Sequence, residues 1–390
     1  MNIDAGRVFN FLPIPTDVHF GFGTSRSLPS HVRLLGARRV FIVTDPGVRC
    51  LGLVEPVTSV LEQEGIDYDI YDQVTADSGS RLICEAVDDL KAAAADVVVG
   101  IGGGSSLDTA KAVAALATNP GSPLDYVGLH KVGNRPLPTV AIPTTAGTGS
   151  EVSLWSVFTD DERKLKVAIG GVLMYPSVAL CDPELTMELP RSLTASTGMD
   201  ALAHAVECYT NKVCQPISGA LAMQAIELIG VYLQRAALCP HDREARYGML
   251  LASTMAGMAM NPTRLGLAHA LAMPLGSWDL KIPHSIAIAV TLPRVMQFNC
   301  SAAPERFVDV ARALGVPVQD SGTLDASDRA VSAVRDLADA IGIPKGLAGY
   351  GLREDHVRDV VEEAMKSGNL PVNPRETSKE QLADILRSCL

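Results

Sequence analysis

The run Asp96-Val-Val-Val-Gly-Ile101, followed at once by Gly102-Gly-Gly-Ser-Ser-Leu-Asp108, restricts the fold more than any other stretch of the chain. A short, nearly continuous apolar run offers no face to water, so it predicts a strand covered on both sides, as in a parallel sheet flanked by helices. The glycines predict a tight passage from that strand into a helix over Ser106–Thr118. The same rhythm surrounds it. Arg39–Thr44 predicts a strand, followed by a helical stretch to about Glu64, a strand at Asp67–Tyr71 and a helix over Arg81–Ala94. Further strands are expected at Leu137–Ile142 and Ser177–Cys181. Such β-α-β alternation is the pattern of an α/β layer. From about Leu189 strands vanish and helical periodicities dominate, at Ile217–Ala236, Arg243–Met260 and Ser327–Ile341. The expected boundary lies near Pro190, separating an α/β domain over 1–189 from an all-α domain over 190–390.

Charge and composition narrow the function classes. The 390 residues carry a net charge of −11, with no dense Lys/Arg run, which argues against a nucleic-acid partner. No stretch approaches the roughly eighteen uninterrupted apolar residues of a membrane span, and the first residues lack a basic-then-apolar signal, so the expected location is the cytoplasm, with no membrane partner. The eight cysteines form no C-x-x-C pair and read as reduced thiols.

Four metal-ligand side chains stand in the helical half. Asp200-Ala-Leu-Ala-His204 has the i, i+4 spacing that puts both side chains on one face of a helix. His269 follows Gly-Leu-Ala and His284 follows Ile-Pro, each in an apolar stretch. One carboxylate and three imidazoles suit Fe(II) or Zn(II) far better than Mg or Ca. The competing reading makes each histidine an ordinary hydrogen-bonded core residue.

In the α/β half, a strand running into Gly102, Gly103, Gly104 and Ser105 brings bare backbone N–H groups and a helix N-terminus against a phosphate. These residues, with Asp108, are candidate cofactor-binding positions, although the spacing departs from G-x-G-x-x-G at Leu107 and a plain strand-to-helix turn stays open. A second loop, Pro143-Thr-Thr-Ala-Gly-Thr-Gly-Ser-Glu151, offers the hydroxyls of Thr144, Thr145 and Thr148. Asp45, at a strand end, can accept both hydroxyls of an adenosine ribose and repel a 2′-phosphate, which favours NAD over NADP. It can equally be a helix cap before Pro46. Ligands of the two halves are expected to meet in a cleft.

Together these elements resemble the iron-containing (group III) alcohol dehydrogenase family. The matching segments are Gly102–Asp108, Pro143–Glu151, Thr197-Gly-Met-Asp-Ala-Leu-Ala-His-Ala-Val-Glu207, and Gly266–His269 through Ile282-Pro-His284. The resemblance implies a Rossmann-like dinucleotide-binding domain before a helical domain, an arrangement of the dehydroquinate synthase-like kind, in a homodimer or larger assembly. It implies Asp200, His204, His269 and His284 as ligands of Fe(II), or of Zn(II), acting catalytically through the metal. It adds Lys166 to the residues expected to contact NAD.

Three positions depart from the family pattern. Met273-Pro-Leu-Gly276 stands where relatives usually carry His-Pro-Leu-Gly, and methionine cannot carry a proton. The loop between Met273 and His284 is one residue longer than is common. Asp77 replaces the usual Asn of a Pro-Asn-Pro-Thr turn. The expected chemistry is reversible hydride transfer between nicotinamide C4 and a small primary alcohol or aldehyde. Trp155, Met260, Met273 and Trp278 are candidate substrate walls. Arg264 and Lys281, if turned inward, favour an anionic substrate such as an ω-hydroxy acid or its semialdehyde. Maleylacetate reductases, hydroxyacid–oxoacid transhydrogenases and glycerol dehydrogenases are the neighbouring alternatives, and a catalytically silent NAD-binding protein is the reading from another class.

Overall fold

The computed structural model describes residue 9 and residues 14–390, apart from 278, 279, 281 and 320. Two compact units divide these residues at Pro190. The first contains β1 (Asp17–Phe20), α1 (Leu28–Leu34), β2 (Arg39–Val43), α2 (Pro46–Cys50), α3 (Glu55–Gln63), β3 (Asp67–Tyr71), α4 (Ser80–Ala93), β4 (Val97–Gly102), α5 (Gly104–Thr118), β5 (Gly128–Leu129), β6 (Thr139–Pro143), β7 (Trp155–Asp160), β8 (Leu165–Gly170) and β9 (Val178–Cys181). Six strands form one sheet in the order β1-β9-β6-β4-β2-β3, and every pairing in it is parallel.

Strand alternation distributes the core to both faces. Phe41, Val43 and Val98 join one apolar cluster with the buried residues of α4 and α5. Val40, Ile42, Val97, Val99 and Ile101 join the other, with Leu28 and Val32 of α1 and Val57 and Leu61 of α3. Each such fully buried aliphatic side chain contributes about 1.5–3 kcal/mol. This two-sided burial is why β2, β4 and β6 have no polar alternation.

The helical stretch expected up to Glu64 is two helices. Leu51-Gly52 interrupts it, Gly52 taking φ +71°, a conformation that favours glycine. A second sheet, β5-β8-β7, lies outside the expected strands. Its β7–β8 pair is antiparallel, with Thr159 opposite Lys166.

The second unit contains α6 (Arg191–Thr210), α7 (Pro216–Leu238), α8 (Arg243–Thr263), α9 (Leu267–Leu275), α10 (His284–Asn299), α11 (Pro304–Ala313), α12 (Thr323–Ile341), α13 (Glu354–Ala364) and α14 (Lys379–Arg387). Helix α6 is buried at every position from Thr194 to Thr210, so it runs through the centre of its unit rather than along a surface. Helix α7 is the one described helix long and apolar enough to cross a membrane, and it packs against α6 and α8.

Candidate metal centre and dinucleotide loops

The helical unit assembles the four predicted ligands. Asp200 and His204 project from one face of α6, with His204 Nε2 3.8 Å from Asp200 Oδ1. His269 comes from the first turn of α9, its Nε2 3.5 Å from the same oxygen. His284 opens α10 directly after Pro283, and its Nε2 stands 4.0 Å from Asp200 Oδ1. The His204 and His269 rings stack at 4.6 Å, and the His284 ring lies 5.6 Å from that of His269. Ser285 Oγ donates to Ser196 Oγ at 3.0 Å, tying the start of α10 to α6.

Asp200 Oδ1 and His269 Nε2 are buried without a hydrogen-bond partner among the described residues. Leaving a carboxylate oxygen and a ring nitrogen so exposed to each other, dry and unbonded, is costly unless a cation satisfies both. The donor set therefore fits a borderline divalent metal, and the residues present supply it entirely from one unit. Burial alone would raise the carboxyl pKa of Asp200, but His204, His284 and His269 together hold it below the ordinary carboxylate range. Burial likewise opposes protonation of His269, yet Glu207 and Asp200 override it and push the ring up to about 9.

Glu207 is the functional residue that sequence reasoning passed over. Its Oε2 stands 2.6 Å from His269 Nδ1 and accepts Gly266 N–H at 2.8 Å. Its Oε1 accepts Ala268 N–H at 2.7 Å. One carboxylate thus caps the N-terminus of α9 and fixes the His269 ring with Nε2 aimed at Asp200, the arrangement in which a second carboxylate orients a metal-binding imidazole. Gly266 permits the approach, because a Cβ there would lie 2.8 Å from Glu207 Oε1. Glu207 was visible in the Thr197–Glu207 motif, seven residues after Asp200 on the same helical strip, but its partner lies 62 positions away.

The α/β unit builds the loops. Gly102 pairs with Pro143 across β4 and β6, and Thr144 N–H donates to Gly102 O at 3.0 Å, so the two loops leave adjacent strands together. Gly102 takes φ +148°. A Cβ on Gly104 would lie 2.8 Å from Thr148 Cγ2, and one on Gly103 3.3 Å from Thr145 Cγ2. The glycines therefore admit the second loop as well as leaving bare N–H groups at the start of α5.

Asp45 takes one of the roles weighed from the sequence, that of a helix cap. It caps α2, with Oδ1 accepting Val48 N–H at 3.0 Å, and its Oδ2 accepts the Ser106 hydroxyl at 3.1 Å beside the first glycine loop. Asp108 is engaged internally, accepting Ser150 Oγ at 2.5 Å and Val157 N–H at 2.9 Å, and pairing with buried Lys111 at 2.9 Å. Lys111 also donates to the carbonyls of Ser150 and Trp155, which stitches α5 to the second loop and to β7. Ser105 Oγ accepts Asp77 N–H at 3.3 Å, and Lys166 pairs with Asp77 Oδ1 at 2.5 Å. The aspartate in the position expected for Asn thus holds the cationic side chain expected at the cofactor.

Other candidates fall elsewhere. The Trp155 ring covers Gly170 across the β7–β8 pair, where a Cβ would overlap it. Met260 and Met273 are half-buried on α8 and α9. Arg264 is exposed at the end of α8 and donates to Gly368 O at 3.3 Å. Trp278 and Lys281 lie outside the described residues.

Comparison with known proteins agrees with this architecture along nearly the whole chain. Residues 15–183 match the model of iron-containing alcohol dehydrogenases and residues 194–390 the model of the C-terminal part of the Fe-containing alcohol dehydrogenase family. A choline dehydrogenase of Bacillus subtilis (strain 168) is 37% identical over 100% of this chain and 97% of its own. An NAD-dependent methanol dehydrogenase of Bacillus methanolicus is 38% identical over 98% of this chain and 100% of its own. The crystal structure of a 1,3-propanediol oxidoreductase superposes with a TM-score of 0.95 at 38% identity, covering 98% of this chain and 100% of that one. A parallel sheet with paired glycine loops, an all-helical second unit and matches of this extent have one meaning: the chain belongs to the iron-containing alcohol dehydrogenase family.

Proposed function

We infer that this protein is an NAD(H)-linked dehydrogenase that interconverts small primary alcohols and their aldehydes, with Asp200, His204, His269 and His284 holding Fe(II), and Zn(II) as the alternative ion. Family membership carries the coarser statement, an oxidoreductase using a divalent metal and NAD(H). The observation that supports the finer one is the convergence of three imidazoles on Asp200 Oδ1, with that oxygen and His269 Nε2 buried and unbonded.

When bound, the cation supplies Lewis acidity to the substrate oxygen, and NAD supplies the hydride acceptor. The chain's own part is to position and to insulate. Glu207 holds the His269 Nδ1 proton, leaving Nε2 as a lone-pair donor. Burial of α6 on all sides keeps water from Asp200 and His204. In the other unit the N–H groups that open α5 and the hydroxyls of Thr144, Thr145 and Thr148 form the diphosphate cradle, Lys166 is steadied by Asp77, and Asp45 selects NAD over NADP by repelling a 2′-phosphate. Met273, one turn beyond His269 on α9, contributes no proton donor.

A homodimer and a cytoplasmic location complete the reading. The anionic-substrate alternative draws no support from Arg264, whose guanidinium is turned to the Gly368 carbonyl. The test is a panel of alkanols, diols and aldehydes with NAD(H) and NADP(H), run on protein stripped of metal and reloaded. Activity that requires the cation and prefers NAD is expected. Undiminished turnover after stripping would reject the assignment.

A further inference from the structure

A second group of metal-ligand side chains lies in the α/β unit. Strand β1 is the edge of the six-stranded sheet, fixed in parallel register on β9 with Asp17 opposite Val178 and His19 opposite Leu180. Their two-residue spacing sends Asp17 and His19 from one face of the strand. Helix α1 brings His31 to the same place: the His19 and His31 rings meet edge-on at 4.3 Å, and His19 Nε2 is 2.9 Å from Asp17 Oδ2. One donor atom from each of the three residues lies within 4.8 Å of the other two.

The detail that separates this cluster from a surface ion pair is His31. It is 7% exposed, whereas the side chains of Asp17 and His19 reach the surface. Its neighbours on α1, Leu28 and Val32, are fully buried and anchor the helix to the sheet, which leaves little freedom for the ring to swing away.

We propose that Asp17, His19 and His31 form a second divalent-cation site, separate from the helical-unit centre, which takes a zinc-class ion and clamps the edge strand β1 to α1. Two imidazoles and one carboxylate are the ligand set of a borderline cation and a poor set for Mg or Ca, which demand more oxygen ligands. Three protein ligands leave the fourth tetrahedral position to water. Entry is from solvent, because the side chains of His19 and Asp17 remain 39% and 68% exposed. The ion would replace the His19–Asp17 hydrogen bond with bonds to both and join them to His31.

The test counts equivalents. Metal-stripped full-length protein is titrated with Zn(II) in competition with a chromogenic chelator, using wild type, His19→Gln and Asp200→Asn. Two equivalents are expected for wild type and one for His19→Gln; because position 19 is half-exposed, that variant is expected to fold. Asp200→Asn is expected to lose the other equivalent, and in that background Zn(II) should still raise the thermal midpoint, an effect that adding His19→Gln removes. Two equivalents persisting in His19→Gln would overturn the assignment to these residues. A single equivalent in wild type, abolished by Asp200→Asn, would overturn the second site while leaving the first intact.

Discussion

Glu207 shows most clearly what single residues do here, because one carboxylate serves a helix end and a ligand ring at once. Replacing it with alanine removes the acceptor for His269 Nδ1 and for two N–H groups of α9. Metal affinity should fall roughly 10–100-fold, as for other orienting partners of metal ligands. Glu207→Gln should fall less, since an amide oxygen can still accept. A chelator-competition assay reads this directly, and equal affinity in all three proteins would reject the orienting role. The His269 ring gives a pH dependence of known sign. With its pKa pushed up to about 9, the metal-free centre holds a proton at neutral pH that an incoming cation must displace. Apparent affinity should therefore rise with pH up to that value and weaken as pH falls beneath it, measurable as Zn(II) uptake between pH 6 and 9. At position 273, Met273→His should add an ionisation near the ordinary histidine value, about 6.5, to the pH–rate profile. A profile unchanged by that substitution would exclude a relay role there. The Asp200–His204 pair was legible from sequence because i, i+4 spacing fixes a shared face whatever the surroundings. Convergence with His269 and His284 could be expected only from residue type, since tertiary packing alone brings α9 and α10 to α6. Glu207 stayed hidden for the same reason: a buried glutamate declares its purpose only when its partner is known.

Secondary-structure elements were legible in proportion to how local their causes are. Strands β2, β4 and β6 announced themselves through apolar runs, β3 through its place in the β-α-β rhythm, and α7 and α8 through long periodicity. The β7–β8 pair did not, because Thr159, Asp160, Lys164 and Lys166 dilute its alternation and cross-strand pairing supplies the order. The break between α2 and α3 rests on one glycine, Gly52, in a conformation that the flanking residues do not advertise. The glycine loop was read as a phosphate cradle, and the structure adds a packing reason for the same residues. Gly104→Ala should press its methyl group on Thr148 Cγ2 and prise the two loops apart. Weaker NADH binding is expected by fluorescence titration, with recovery in Gly104→Ala/Thr148→Ser, where the offending methyl is gone. Failure of the second substitution to restore binding would mean that the glycine serves the ligand alone. Lys111 holds the same loops from beneath. Lys111→Met would leave the half-buried Asp108 without its cation, and breaking the pair should cost up to about 3 kcal/mol, readable as a lowered denaturation midpoint.

At the scale of the whole molecule the catalytic chemistry is divided between two units: every ligand proposed for the catalytic metal follows Pro190, and every proposed dinucleotide contact precedes it. That division makes the two binding functions separable. Asp200→Asn should abolish alcohol-dependent reduction of NAD while leaving NADH affinity near that of wild type, and loss of both together would show that the units do not act independently in binding. The account rests on four side chains of the helical unit sharing one cation, and anomalous diffraction at the iron edge, from crystals of protein reloaded with Fe(II), tests this most directly. The prediction is a strong peak within coordination distance of Asp200 Oδ1 and of the Nε2 atoms of His204, His269 and His284. No peak among these four side chains in protein that turns over alcohol would contradict it.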